Sequence, residues 1–258
     1  MRIALISLPI EEGKPEKNLQ KAKKLLFEAM KREPHLVCFP EMSIVNDAYP
    51  HGMFRHMAEP IPGKYSELFC KWAEKNHVHI VVGLLKRELD HFYSSAILID
   101  THGDILLKQR QVRNWPPYAC GKQYFTHKTD FGTVLIALCA DIWDEKLFSC
   151  VLKNSPDHII IPADMSGEDD ELGRIDDNNP PRGIEDLKAR YLQLSTLVGS
   201  NVLAVNAYCR DDKEYPGAFG GAFMFCNGRE FFPSDLKPDW WRQPLIKPIY
   251  YFEISERD

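Results

Sequence analysis

Two polar residues stand at the carboxyl ends of apolar runs in this 258-residue chain: Glu41 after LVCFP and Cys139 after TVLIAL. In a layered α/β protein the strands stop at that end and the loops open a crevice, so the two residues are candidates for one pocket. A cysteine at a strand-to-turn junction, with Ala140 and Asp141 next, presents its thiol outward and brings backbone N–H groups to a developing oxyanion. Glu41 is the candidate general base for that thiol. The competing reading is an inert thiol in an apolar core, which also accounts for Cys38, Cys150 and Cys226. His51 and His127 have no partner at metal-ligand spacing, and the acids of the stretch 164–183 lack the spacing of a calcium loop. Neither a metal nor another cofactor is expected.

These residues have to be held by the elements around them. Apolar runs rich in β-branched residues recur at Ile3–Leu8, His35–Phe39, His79–Leu85, Ala96–Ile99, Thr133–Leu138, His158–Ile161 and Val202–Asn206. Helical stripes lie between them: Leu19, Ala22, Leu26, Ala29 and Met30 behind Pro15; Tyr65, Leu68, Phe69, Trp72 and Ala73; and Ile184, Leu187, Tyr191, Leu194 and Val198. Strands alternating with helices predict a layered α/β fold. AFMFC after Gly220 and Gly221, with Asn227 and Gly228 following, reads as a hairpin. No Gly-, Ser- or Pro-rich linker divides the chain, so one domain over 1–258 is expected. It carries an acidic loop at about 164–183, with seven acids and two prolines, and a tail at about 233–258 whose DWWRQPLIKPIYYFEI segment reads as chain draped on the body or a partner rather than helix.

Composition narrows the function classes. A charge of −5 and a pI near 6.0 give no basic field for nucleic acid or an anionic membrane. The longest apolar stretch, Phe131–Ala140, is about half of the roughly 20 residues a membrane-spanning helix needs. The opening MRIALISLPIEEGK leads into acids and a lysine rather than a small-residue cleavage site, and reads as a first strand. Seven scattered cysteines without a CxxC pair suit reduced thiols in a cytoplasm. A small-molecule substrate is the partner these features leave open.

LVCFPEM, GDILLKQRQVRNWPPYACG, FGTVLIALCADIW, HIIIPADMS, ARYLQLSTLVGSNVLAVNAY and FGGAFMF resemble, in order, the landmarks of the nitrilase or carbon–nitrogen hydrolase superfamily. The resemblance implies a four-layer α-β-β-α sandwich that assembles as a homodimer or higher homo-oligomer. It further implies hydrolysis of nonpeptide carbon–nitrogen bonds in small amides, ureido acids or nitriles through a Glu–Lys–Cys triad and a thioester-type acyl-enzyme. Carried over by position, Glu41 matches the base and Cys139 the nucleophile. Asp141 matches a residue that ties down the turn, and Arg190 one held in a buried ion pair.

The lysine is missing. Counting eight residues from Gly103 reaches Gln111, and the place of a second family glutamate, four residues before Tyr118 of the Tyr118–Gly121 turn, holds Asn114. A cation and an anion have both become amides, a joint change that avoids leaving either charge buried alone. If GDILLKQRQVR runs as one strand, alternation places Arg113 on the face of Gln111 as a candidate substitute cation, while Lys108 would need a shifted register. The resemblance also places Asn114, Tyr118, Trp143 and Met165 as substrate-binding positions. Two functions follow: a cysteine-dependent carbon–nitrogen hydrolase with an incomplete triad, or a catalytically impaired relative that binds a metabolite or serves as a regulatory or structural subunit.

Overall fold

The apolar run that opens the chain becomes an interior strand. β1 (Arg2–Ile6) pairs in parallel with β3 (Leu36–Cys38), and β3 in parallel with β4 (His79–Glu88). The crossover from β1 to β3 is made by α1 (Pro15–Ala29), whose proline sits in the first turn, where no intrahelical N–H is needed. Next, β5 (His91–Ile99) and β6 (Ile105–Arg110) continue the sheet antiparallel, giving the order β14-β1-β3-β4-β5-β6 with β14 (Ile249–Glu253) at the far edge. A second six-stranded sheet has the order β13-β12-β10-β9-β8-β7. Its strands are β7 (Thr126–Thr129), β8 (Gly132–Ile136), β9 (His158–Ala163), β10 (Asn201–Asn206), β12 (Ala222–Cys226) and β13 (Arg229–Phe231). The short β2 (Pro9–Ile10) and β11 (Tyr208–Cys209) pair with each other. The remaining helices are α2 (Phe54–Met57), α3 (Lys64–Asn76), α4 (Glu145–Asn154) and α5 (Arg182–Val198). The computed structural model describes residues 1–11, 13–45, 54–114, 116–165, 182–209, 220–233 and 248–254.

Strand alternation separates two cores. Ala4, Ile6, Val37, Ile80 and Val82 of the first sheet face Leu26 of α1 and Phe69 and Trp72 of α3. Ile3, Leu5, Leu36 and Val81, on the other face, join the core of the second sheet, which Leu187, Tyr191 and Leu194 of α5 cover. The layers are therefore α-β-β-α, as the resemblance implies. At the hairpin between β12 and β13, Asn227 and Gly228 both take positive φ (47° and 72°), the two-residue turn that matches strand twist.

Three expectations change. The KQRQVR strand stops at Arg110, because the N–H groups of Val112 and Arg113 turn to the Asp141 carboxylate (both 2.8 Å) instead of a neighbouring strand. The described part of the tail is the edge strand β14, not draped chain: it pairs antiparallel with the open edge of β1, burying Tyr250 and Phe252. The acidic loop ends earlier than 183, since α5 starts at Arg182; most of that loop, and the DWWRQP segment, lie outside the described residues.

Gly83 of β4 governs how closely the chain carrying Glu41 lies on the sheet. Its N–H donates to Pro40 O (3.1 Å) and its carbonyl accepts from Ser43 N–H (3.0 Å). A Cβ at this position would lie 2.5 Å from Glu41 Cα and 2.5 Å from Pro40 O, both backbone atoms that cannot swing aside. Gly83→Ala is expected to destabilise the protein by roughly 1–3 kcal/mol, the ordinary cost of overpacking, read as a lower urea midpoint with an unchanged m-value. An unchanged midpoint would show that residues 40–41 yield freely.

Candidate active site

The first residues past several strands meet at one end of the sandwich. Glu41 follows β3, Cys139 follows β8, Asp164 follows β9 and Asn206 ends β10. Glu41 N–H donates to Ala163 O (3.3 Å), tying the first sheet to the second at this point. The Glu41 carboxyl is buried, accepts a hydrogen bond from Ser94 Oγ of β5, and has the Cys139 thiol as a further donor that lowers its pKa. The backbone N–H of Asp164 donates to the Cys139 sulfur. Asn206 holds the next residue in place, its Oδ1 accepting from Met165 N–H (2.7 Å) and its Nδ2 donating to Met165 O (3.1 Å).

Cys139 opens a 3-10 turn, Cys139–Trp143, with φ at +42°, a left-handed conformation that few non-glycine residues adopt. Asp141 holds that turn. Its Oδ2 accepts from Leu138 N–H (2.9 Å), its own N–H donates to Leu138 O (2.8 Å), and its Oδ1 takes the N–H groups of Val112 and Arg113. One buried carboxylate thus couples the Cys139 turn to the segment carrying Gln111. Burial raises the Asp141 pKa to about 6 in spite of these donors.

Gln111 is buried beside the same turn. Its N–H donates to Ser94 O (2.9 Å), its carbonyl accepts from Gly121 N–H (2.7 Å), and its Nε2 donates to Leu138 O (3.3 Å), the carbonyl just before Cys139. Glu41, Ser94, Gln111 and the Cys139 turn are therefore one connected group. Arg113 is exposed, and its backbone N–H donates to Asp141 Oδ1. Asn114 and Tyr118 are half-buried, Tyr118 packing on the outer-face core. Trp143 is 36% exposed beneath the Arg190 guanidinium, 4.9 Å from its ring centre. Arg190 also stacks on Phe148 and bonds Gln193, so cation–π contact replaces the buried ion pair expected for it. The Met165 side chain packs against the central core. Ser94, Asp164 and Asn206 complete the arrangement; of these, only Asn206 had a signal of its own, a polar end to an apolar strand.

The electrostatics follow first from burial. Burial raises the Glu41 carboxyl most; the Ser94 and Cys139 hydrogen bonds pull it down, the Asp164 and Asp141 charges push it up, and it settles at about 8. The Cys139 thiol is held well above its ordinary range, first by burial and then by the Glu41 charge, with Asp164 N–H acting the other way. No cation is among the leading influences on either group. Among the described residues, no group of three or more His, Cys, Asp or Glu side chains is placed to hold a metal ion, and no helix is long and apolar enough to cross a membrane.

Residues 2–155 match the family model of carbon–nitrogen hydrolase. The chain belongs to the carbon–nitrogen hydrolase family. Among curated relatives, it is 30% identical over 112 residues to omega-amidase NIT2-B of Xenopus laevis, covering 43% of this chain and 40% of that protein. It is 25% identical over 172 residues to nitrilase 3 of Arabidopsis thaliana, covering 57% of this chain and 48% of that protein. The chain thus spans less than half the length of either relative. Among solved structures, XC1258 of Xanthomonas campestris, described as a CN-hydrolase superfamily protein with an arsenic adduct in the active site, superposes with a TM-score of 0.76. That match has 14% identity and covers 99% of this chain and 90% of the other, and it bears on the fold.

The raised Glu41 pKa has a consequence for stability. Between its ordinary value of 4.5 and about 8, the native state holds a proton that the unfolded state releases, so stability falls as pH rises through that window. Glu41→Gln removes this cost and can still accept from Ser94. The variant should be more stable than the unmodified protein by on the order of 2–3 kcal/mol at pH 7–8, with the difference vanishing by about pH 4, as read by guanidinium unfolding at several pH values. A variant less stable at pH 8 would show that the carboxylate has a stabilising counter-charge.

Proposed function

We propose that this chain is a cysteine-dependent hydrolase of nonpeptide carbon–nitrogen bonds in a small amide, ureido or nitrile compound, working through an acyl-enzyme. The observation that carries the reading is the Glu41–Cys139 hydrogen bond, with Asp164 N–H on the sulfur. When Glu41 is ionised it accepts the thiol proton as Sγ attacks the carbonyl carbon. The same proton passes to the departing nitrogen, which leaves as ammonia or an amine, and a thioester remains on Cys139. A water molecule then gives a proton to Glu41, adds to the thioester and releases the acid and the free thiol. Glu41 and Cys139 carry the chemistry, and Gln111 stands where the family has its lysine. Asn114, Tyr118, Trp143 and Met165 are the positions proposed to shape the substrate. The omega-amidase and nitrilase names of similar proteins support a small substrate of this class.

The missing cation sets the rate. A neutral amide replaces a charged donor, and losing one oxyanion donor typically costs about 10²–10³ in rate. At neutral pH most Glu41 is protonated and unable to take the thiol proton. A second reading, a metabolite-binding or regulatory protein with little turnover, is favoured by Gln111 Nε2, which is engaged by Leu138 O. Localisation in the cytoplasm is supported by Cys38, Cys70, Cys120, Cys139, Cys150 and Cys226, all free. A homodimer or higher homo-oligomer is supported by exposed Trp143, Leu152 and Leu192 on the elements covering the second sheet, apolar surface that assembly would bury.

The test is product release from a panel of short aliphatic amides, ω-amido acids, ureido acids and nitriles, read by mass spectrometry. Slow turnover is expected, with kcat/KM rising as pH passes through about 8 and Glu41 ionises, loss in Cys139→Ala, and a gain of about 10-fold or more in Gln111→Lys. Turnover that survives Cys139→Ala would overturn the reading. A compound bound at one equivalent, with neither product nor acyl-enzyme before or after Gln111→Lys, would establish the binding protein instead.

A further inference from the structure

The far strands of the first sheet carry a second concave feature on their outer face. A cavity of about 460 Å³ is lined by Lys86, Ser95, Lys108, Arg110, Lys122 and Phe125, with Ile61, Gln109, Gly121 and Gln123 around them. The lining holds four cations and no acid, in a chain whose 37 acids outnumber its 32 lysines and arginines. Strand register explains the grouping. Ser95 lies opposite Arg110, Ile97 opposite Lys108 and Tyr93 opposite Lys86, so alternation brings Lys86, Ser95, Lys108 and Arg110 to one face. That face is turned away from Ser94 and the Glu41 carboxyl.

The cations are partly tethered. Glu88, at the exposed end of β4, pairs with Lys86 Nζ (3.3 Å) and with Arg110, and Lys108 Nζ donates to Ile61 O (3.4 Å). Even with Glu88 counted, positive charge exceeds negative. Ser95 is 2% exposed, and its Oγ has no hydrogen-bond partner among the described residues. Buried hydroxyls in folded proteins are nearly always partnered, and Ser95, which shares this lining with ammonium and guanidinium groups, has a hydroxyl proton and, among the described residues, no acceptor for it.

We propose that this cavity binds a small metabolite carrying a carboxylate or phosphate group. The oxyanion is held by Lys86, Lys108 and Arg110, with Ser95 Oγ donating to it, and the apolar body lies against Phe125 and Ile61. The site is independent of turnover at Cys139, and binding alone tests it.

The experiment is calorimetric titration of the full chain at low salt with phenyl phosphate, benzoate and inorganic phosphate. Saturable binding of one equivalent is expected, weakening as salt is raised. Affinity should drop about 10-fold in Lys108→Glu, whose side chain is exposed, and about 5-fold in Ser95→Ala. Lys122→Glu, also exposed, gives a second charge reversal if either variant melts early. Phenyl phosphate tighter than benzoate would assign the site to phosphate esters, the reverse to carboxylates, and inorganic phosphate as tight as both to the free anion. No saturable binding by any probe up to about 10 mM, or an affinity that neither charge reversal changes, would overturn the proposal.

Discussion

A buried carboxyl group whose leading influences, among the described residues, include no cation is the constraint around which this site is arranged. Glu41 leaves the end of a core strand and ends between two sheets, where water cannot solvate its charge. The protein responds with neutral donors: Ser94 Oγ and the Cys139 thiol hydrogen-bond to the carboxyl, and a backbone N–H reaches the sulfur. These donors favour the charged forms, yet burial outweighs them and holds both groups above their ordinary range.

The surrounding fold keeps this pair in register from both sheets. Asp141 spends three acceptor contacts on backbone N–H groups, fixing the strained φ of Cys139 and the segment of Gln111 together. Asn206 clamps Met165, and with it the preceding Asp164 N–H. Gly83 allows the Pro40–Glu41 backbone to lie directly on β4. Each support acts through backbone groups, so neighbouring side chains can vary without displacing Glu41 or Cys139.

Much of this was legible in the sequence, and the rest was hidden for definite reasons. Glu41 and Cys139 stood out because a polar residue ending an apolar run is conspicuous, and the strands meet where those runs end. Ser94 was concealed within FYSSAILI, where only the buried pair of serines in an apolar strand hinted at an internal acceptor. Gly83 left no trace, since its role is contact with backbone far away in the chain. The Asp164 N–H is a backbone donor and has no residue signature. Alternation does not carry as far as Arg113, because Asp141 takes the N–H groups that would have continued β6. In the tail, tryptophans and prolines drew attention from IYYFE, whose period of two sends Tyr250 and Phe252 to the central core and Ile249 and Tyr251 to the outer one.

Whether Glu41 and Cys139 both keep their protons near neutrality is read from the pH dependence of Cys139 alkylation by iodoacetamide. Peptide mass spectrometry reads the reaction, and the remaining cysteines serve as internal references. Slow modification is expected at pH 6–7, with a rise that follows Glu41 ionisation near pH 8 and loss of that component in Glu41→Gln. Rapid modification with a midpoint well below neutrality would overturn this assignment of protons, because a thiolate in this burial requires a neighbouring cation.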